Sequence, residues 1–359
     1  MRIFVSDCEG PLSKNDNAFE VSAHFIPRGN YFFSLISKYD DVLADVVRRP
    51  EYRAGDTLKL ITPFLRAYDV TNRELEEFSA ENVILIHGAK EALRLIRGIM
   101  PSFIVSTSYT QYMYALCAVL DFPWENVRCT KLDLDRYCLK KAERERLRLL
   151  TKEIVELPMI DIPDGAESLS QLPAQSREVV EKLDDVFWEE ISHMKAGALL
   201  REVQPVGGQE KAEAINEIVS KLNCGLDEVM YVGDSITDVQ AFHLVRESGG
   251  LAVSFNGNAY AVRSSDVAVL SESATVTAAL AAVFSELGRG GVLDLLGDLG
   301  YPALCKFCPD KEVLKAVSAA YPDGFPRAER ITIDNENKLV RESSSFRKNV
   351  RGDAIGKLG

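Results

Sequence analysis

The first eleven residues constrain the fold more than any other stretch of this chain. The apolar run Ile3-Phe4-Val5 predicts a buried strand, and the carboxylates of Asp7 and Glu9 follow it before a Gly10-Pro11 turn. Because side chains alternate along a strand, both carboxylates point the same way past its carboxyl end, the edge at which parallel α/β sheets bind ligands. The pair predicts a metal site, or a nucleophile with a general acid, although such a sequence is also common in a surface turn.

A second predicted strand, residues 102–108, ends in hydroxyl groups that include Ser106 and Thr107. The helix predicted to follow it would present hydroxyl and backbone N–H donors together, an arrangement that fits a phosphate oxygen. Ser and Thr are also common as ordinary helix caps. Both interpretations stay open when this strand is considered alone.

Three more charged residues follow near predicted element boundaries. Lys211 lies in the first turn of a predicted helix, where the helix dipole disfavours a cation, so a functional reason for it is indicated. Asp234 follows Gly233 just after a strand predicted over residues 228–232, and Asp238 comes four residues later at a helix start. Four residues make about one helical turn, so both acids can face one site.

The order Asp7/Glu9, Ser106, Lys211 and Asp234/Asp238 resembles the motif set of the haloacid dehalogenase (HAD) superfamily. The stretches Gly208-Gln-Glu-Lys-Ala-Glu-Ala-Ile and Tyr231-Val-Gly-Asp-Ser-Ile-Thr-Asp-Val most resemble its phosphoserine-phosphatase-like branch. The resemblance implies an α/β fold with a Rossmann-like (HAD-like) parallel-sheet core and two mostly helical cap inserts. The expected divisions are a core of residues 1–12, 83–134 and 204–287, a first cap of 13–82, a second cap of 135–203, and a C-terminal extension of 288–359.

The resemblance also implies a reaction. Asp7 would be the nucleophile of an Mg²⁺-dependent phosphohydrolase acting on a small phosphorylated metabolite, and it would form an aspartyl-phosphate. Glu9 would protonate the leaving oxygen and then activate water. Ser106 would bind a phosphoryl oxygen. Lys211 would balance the negative charge of that oxygen and orient Asp7.

For the cofactor, the resemblance implies Mg²⁺ held by Asp7, the backbone carbonyl of Glu9, and Asp234. Asp238 would order the groups around these ligands. Substrate contacts are expected from residues near the first motif and at two other strand ends, namely Asn15, Asn17, Glu20, Arg28, Thr107 and Asn256.

Glu9 departs from the pattern of most phosphatases of the superfamily, which carry Asp at this position. The longer side chain keeps acid–base chemistry available, but it leaves the final phosphoryl acceptor open. A small-molecule phosphotransferase that uses an alcohol is therefore an alternative to hydrolysis.

Residues 3–20 also resemble archaeal proteins that carry the name energy-converting hydrogenase A subunit R. This resemblance implies a different class of function, a non-catalytic or accessory protein associated with a membrane hydrogenase complex. The chain has no evident iron–sulfur or nickel ligand set, so such a role would be peripheral.

Composition restricts the partners. The 359 residues carry a net charge of −12, which gives no general attraction for nucleic acid or anionic lipid. No run of about 18 apolar residues is present, so we expect no membrane insertion. Seven cysteines, an odd number, indicate reduced thiols and a cytoplasmic location.

Two features of the last 72 residues, 288–359, remain. Cys305 and Cys308 form a single C-x-x-C, for which free thiols are favoured over metal binding because no second ligand pair matches it. Residues 341–359 lack an apolar periodicity and are expected to be mobile or docked as an arm.

Overall fold

The computed structural model describes residues 1–163, 165–297, 300–308, 310–353 and 355–357. Its sheet has seven strands in the order β3-β2-β1-β4-β5-β6-β7, and all neighbours are parallel except β6 and β7. The α/β fold with a parallel-sheet core is thus confirmed, and its first six strands have the Rossmann order. The strands are β1 (Ile3–Ser6), β2 (Ser102–Tyr109), β3 (Val127–Thr130), β4 (Val229–Gly233), β5 (Leu251–Phe255), β6 (Val267–Leu270) and β7 (Arg327–Arg330).

Sixteen α-helices lie in the described part of the chain. They are α1 (Asn17–Phe25), α2 (Gly29–Asp41), α3 (Thr57–Ala67), α4 (Asn72–Asn82), α5 (Ala89–Ile99), α6 (Thr110–Leu120), α7 (Lys141–Ile154), α8 (Ala174–Asp184), α9 (Gly197–Glu202), α10 (Gly208–Leu222), α11 (Val239–Glu247), α12 (Ala259–Ser264), α13 (Thr275–Leu296), α14 (Tyr301–Phe307), α15 (Lys311–Ala320) and α16 (Glu336–Arg351). Short π-helical turns, Val42–Val46 and Asp185–Glu190, extend α2 and α8.

Strand β1 lies at the middle of the sheet, between β2 and β4. Ile3 and Val5 face a layer that contains α10 and α11, while Phe4 faces the opposite layer, which contains α5, α6 and α13. This alternation follows from the strand's two-residue period. Both faces are covered, which explains why the strand reads as an uninterrupted apolar run.

Helix α13 is long and apolar enough, by length and composition, to be a candidate membrane span, which we did not expect from the sequence. In the structure, 67% of its most apolar 18-residue window is buried, and its buried side chains belong to the main hydrophobic core. Gly288 kinks the helix with a φ of 67°. Packing against α5 and α15 accounts for its apolar character.

The segments predicted as two caps share one hydrophobic cluster. Its buried side chains come from residues 18–75 and 132–203, together with Tyr109 at the end of β2. Helix α3 of the first segment packs against α7 and α9 of the second. The division of the chain into domains stays a prediction.

Helix α3 contains a proline, a residue that usually interrupts a helix. The helix runs from Thr57 to Ala67 with Pro63 inside it. Proline removes the N–H that would bind the carbonyl of Lys59, four residues earlier. The hydroxyl of Thr62 donates to that carbonyl at 2.7 Å, so the carbonyl keeps a partner and the helix continues.

The C-terminal segment adds β7 and α16 to the core. Of the two expectations for residues 341–359, docking applies to the described residues, and those up to Arg351 are helical. The buried positions of α16 are Leu339, Ser343 and Arg347, each four residues from the next. Two of these three side chains are polar, which explains why apolar periodicity did not predict the helix.

Candidate active site

The carboxyl ends of β1, β2 and β4 place Asp7, Ser106 and Asp234 around one small cavity. Its volume is about 100 Å³, and Glu9 and Thr107 also line it. A cavity needs about 10–15 Å³ by this measure to hold one water, so several waters or a phosphate-sized group fit. The sheet therefore brings together the polar strand ends that the sequence predicted.

Lys211 joins two of the acids. Its Nζ lies 2.8 Å from Asp7 Oδ2 and 2.7 Å from Asp238 Oδ1, and its side chain is 0% exposed. Burial alone would lower the pKa of Lys211, but the charges of Asp238 and Asp7 raise it above its ordinary value. The lysine is therefore a fixed positive charge beside Asp7.

Asp238 is bound on both carboxylate oxygens. Oδ1 accepts from Lys211 and from the hydroxyl of Tyr231, at 2.7 and 2.6 Å. Oδ2 accepts from the backbone N–H groups of Asp234 and Ser235, at 2.8 and 2.9 Å. Burial opposes ionisation, yet Lys211 and these hydrogen bonds hold the pKa of Asp238 below its ordinary value. This residue positions Lys211 and the turn after β4.

Asp7 is in a different electrostatic environment. Burial raises the pKa of Asp7, the charge of Lys211 lowers it, and the carboxylates of Asp238 and Asp234 raise it, which together give a pKa of about 7. Its Oδ1 accepts from the backbone N–H of Cys8 at 2.7 Å. Both oxygens are thus oriented by this chain, as a nucleophilic carboxylate requires.

Glu9 lines the same cavity, next to the start of α1. Its Oε1 accepts from the backbone N–H of Asn17 at 2.8 Å, at the start of α1. Burial and, after it, the nearby charge of Asp16 raise the pKa of Glu9 well above its ordinary value. A protonated carboxyl group at this position is suited to donate a proton.

Gly10 permits the close approach of Asp234 to the first turn. Its φ is +100°, and a Cβ at this position would lie 2.1 Å from Asp234 Oδ2. Any side chain here would displace the carboxylate and strain the backbone. The Gly10-Pro11 turn is therefore a part of the site and not only a chain reversal.

Two residues that the sequence analysis missed reach Asp234 from α16. Arg347 donates to the backbone carbonyl of Asp234 at 3.2 Å and contacts its Oδ2, and Arg351 lies 3.0 Å from the same oxygen. The one sequence signal is a repeat of four residues, Leu339, Ser343, Arg347, Arg351, which marks one helix face.

Residues 13–82, which we call the first insert, lie over the cavity near Gly55. A Cβ on this residue (φ +96°) would lie 3.2 Å from the methyl group of Thr107 and 3.3 Å from that of Thr237. The backbone N–H of Gly55 donates to Asp40 Oδ2 at 3.1 Å, and Asp40 lines the cavity. The insert therefore contributes an acidic group, Asp40, to the cavity as well as apolar groups such as Phe33 and Leu58.

The expected substrate contacts are only partly brought to the cavity. Thr107 lines it, with its hydroxyl donating to Val206 O at 3.0 Å. The other five lie outside its lining and bind protein groups. Asn15 binds Glu20, Asn17 donates to Ser79, Arg28 pairs with Glu156 at the surface, and Asn256 binds Ser271. These five residues are held in place by protein partners, and their contact with substrate stays a prediction.

The donor set fits a divalent cation in its chemistry. Carboxylate oxygens of Asp7, Asp234 and Asp238 lie within 4.8 Å of one another, and all three residues are buried. Hard cations such as Mg²⁺ prefer oxygen ligands of this kind. Each oxygen of Asp238 already accepts at least two hydrogen bonds, whereas each oxygen of Asp7 has one partner, so Asp7 and Asp234 are favoured over Asp238 as ligands.

Replacing Asp40 should change how stability depends on pH. Asp40 is buried, and burial followed by the charge of Asp56 raises its pKa to about 7. In the folded state Asp40 keeps its proton up to about pH 7, whereas in the unfolded state it loses the proton near pH 4. The free energy of unfolding therefore falls as the pH rises between these values. Between pH 5 and pH 8, the free energy of unfolding of the wild type should fall by roughly 3 kcal/mol more than that of Asp40→Asn. Urea unfolding at the two pH values measures this difference.

The matched control is Glu76→Gln, a substitution at an exposed position of α4. It should keep the wild-type dependence of unfolding free energy on pH. Parallel curves for Asp40→Asn and wild type would contradict the raised pKa of Asp40.

Comparison with solved structures relates the chain to two others. It is similar to the gene product AF1437 from Archaeoglobus fulgidus, with a TM-score of 0.81, 27% identity, and coverage of 100% of this chain and 99% of that one. It is also similar to a phosphoserine phosphatase in apo form, with a TM-score of 0.45, 11% identity, and coverage of 76% and 94%. No conclusion about activity follows from so distant a likeness.

Neither a protein-family model nor a curated protein sequence matches the chain. The likeness to AF1437 extends over the whole length of both proteins, so it includes the inserts and α16. The chain therefore shares its complete α/β fold with this archaeal protein.

Proposed function

We propose that this protein is a phosphohydrolase that acts on a small phosphorylated metabolite through an aspartyl-phosphate on Asp7. One observation carries the proposal: a buried aspartate lines a cavity with room for a phosphate and is held 2.8 Å from a buried lysine. Phosphoryl transfer requires an oriented nucleophile and nearby positive charge, and this pair supplies both.

In the first step, a carboxylate oxygen of Asp7 forms a bond to phosphorus, and the bond from phosphorus to the ester oxygen breaks. Glu9 gives its proton to that oxygen, which leaves as an alcohol. In the second step, Glu9 takes a proton from a water whose oxygen attacks the phosphorus. The bond between phosphorus and the Asp7 oxygen breaks, free phosphate leaves, and the Asp7 carboxylate is restored.

The remaining residues place charge and donors around these steps. Lys211 is the fixed positive charge beside Asp7, and Ser106 lines the cavity with its hydroxyl 3.2 Å from that of Ser108. Donors held in place before the reaction stabilise the developing charge without having to reorganise. Mg²⁺, held by Asp7 and Asp234, would supply further neutralisation of the phosphoryl oxygens.

The size of the cavity favours a small substrate. At about 10–15 Å³ for each water by this measure, about 100 Å³ holds a phosphoryl group with a small leaving group, and residues of the first insert such as Phe33, Asp40 and Leu58 line it. A cavity of this size favours a small phosphate ester over a phosphoprotein segment. A larger substrate would also require the insert to move away from Thr107 and Thr237.

A phosphatase assay tests the proposal. Wild-type protein with Mg²⁺ should hydrolyse an aryl phosphate and at least one member of a panel of small phosphate esters, and chelation of Mg²⁺ should lower the rate. A folded, metal-loaded protein that turns over no member of the panel would contradict the proposal. Adding alcohols to the same assay shows whether phosphate is transferred to them in place of water.

A further inference from the structure

We propose that helix α16 competes with a divalent cation for the carboxylate of Asp234. The competing groups are the guanidinium groups of Arg347 and Arg351. The inference rests on the proposed function only in taking Asp234 as a metal ligand. It adds two residues of the C-terminal segment to the site, and it assigns them a role in setting metal affinity.

The contacts converge on one atom. Both guanidinium groups contact Asp234 Oδ2, and Arg347 also donates to the backbone carbonyl of Asp234. The two arginine side chains are 3% and 4% exposed, and that of Asp234 is 2% exposed. An oxygen that accepts from two buried cations has little capacity left for a metal ion, which prefers to bind the same kind of oxygen.

The helix is held in place by contacts away from the acids. Leu339 is buried in a cluster with Val262, Ala268 and Leu270, and the hydroxyl of Ser343 donates to Gly257 O at 2.7 Å. These contacts fix α16 against α12 and β6. The arginines are therefore delivered to Asp234 by a packed element of the fold.

Arg351 also binds the segment that follows the first turn. Its Nε donates to Lys14 O at 3.0 Å, and its second terminal nitrogen contacts Asn15 O. Its guanidinium thus bridges the segment before α1 and Asp234, which follows β4. Removing Arg351 would therefore have two effects. It would release one cation from the Asp234 carboxylate, and it would break this bridge.

Arg347 has an additional donor available. It lines the cavity, and its Nε is buried without a hydrogen-bond partner in the part of the chain that the structure describes. A buried donor without a partner is costly unless a ligand or water uses it. The arginine therefore provides positive charge and hydrogen-bonding capacity at the place where a metal would otherwise supply charge.

The electrostatic consequence has a definite sign. A divalent cation bound by Asp7 and Asp234 would lie close to the two guanidinium groups that contact Asp234. Like charges that share one carboxylate repel strongly in a buried site. The wild-type protein should therefore bind divalent cations weakly. Removing either arginine charge should strengthen binding, whereas loss of an ordinary structural contact would weaken it.

Titration with Mn²⁺, followed by the electron paramagnetic resonance signal of the free ion, tests this directly. Arg347→Gln and Arg351→Gln should each bind Mn²⁺ at least about tenfold more tightly than wild type. Arg347→Lys, which keeps the charge, should stay near wild type. Arg341→Gln, at an exposed position of the same helix, is the matched control and should not change the affinity. Unchanged or weaker Mn²⁺ binding in both glutamine variants, or no binding by any variant, would overturn the proposal.

Hydrogen exchange of the wild-type protein gives a second reading if the glutamine variants fail to fold. Saturating Mn²⁺ should increase amide exchange over residues 343–351, because the ion displaces the arginines and loosens the end of α16. Unchanged exchange or added protection there would overturn the proposal. Neither experiment measures turnover, so a protein that hydrolyses phosphate esters but fails both tests retains its proposed function and loses only this inference.

Discussion

Replacing Asp7 by Asn should lower kcat for phosphate-ester hydrolysis by about 10³-fold or more, because an amide cannot form the acyl-phosphate. The substitution is isosteric, so the side chain can keep its place beside Lys211 and the backbone N–H of Cys8. Steady-state hydrolysis of an aryl phosphate with saturating Mg²⁺ measures the loss. Circular dichroism and thermal unfolding of the same sample show whether the fold is kept.

Asp227→Asn is the matched control, because it makes the same chemical change at an exposed position before β4. It should keep wild-type kcat. Hydrolysis by Asp7→Asn within a few-fold of wild type would remove Asp7 from the reaction, and with it the covalent intermediate. A loss of activity accompanied by unfolding would instead assign Asp7 a structural role.

Replacing Lys211 by Met should destabilise the protein by about 3–5 kcal/mol, because it leaves two buried carboxylates without their shared countercharge. Lys211 is 0% exposed, and its ion pairs with Asp7 and Asp238 are both shorter than 3 Å. Chemical unfolding at pH 7 measures the change. The destabilisation should be larger at pH 8 than at pH 5, because more of the carboxylate charge is present at the higher pH.

A double mutant separates the charge effect from the loss of packing. Combining Lys211→Met with Asp7→Asn removes one of the two uncompensated carboxylates, so it should recover at least about 1 kcal/mol relative to Lys211→Met alone. Lys221→Met, on the exposed end of the same helix, should change stability little. Additive effects of the two substitutions would show that the Lys211–Asp7 pair contributes little to stability.

The central part of the fold could be predicted because its signals are local. An apolar run that stops at a carboxylate marks both a buried strand and the edge where it ends, and this is how Asp7 and Asp234 were found. Lys211 was found because a cation in the first turn of a helix opposes the helix dipole. In each case the residue and its structural reason are a few positions apart in the chain.

The features that could not be predicted depend on contacts between distant segments. Arg347 and Arg351 follow Asp234 by more than a hundred residues, and their helix presents a polar face to the site, so apolar periodicity gives no signal. Helix α3 continues past Pro63 because one hydroxyl, that of Thr62, replaces a lost donor. The sequence does not show that a side-chain hydroxyl will take the place of a missing backbone N–H, whereas the structure does.

Mapping of the phosphorylated residue tests the central claim most directly. Wild-type protein would be mixed with Mg²⁺ and a phosphate ester that it turns over, quenched in acid within the first turnover, digested, and analysed by mass spectrometry. We predict a phosphoryl adduct on the peptide that contains Asp7, lost on treatment with hydroxylamine and absent from Asp7→Asn. Release of phosphate in the first turnover with no adduct on that peptide, or an adduct on another residue, would contradict the account.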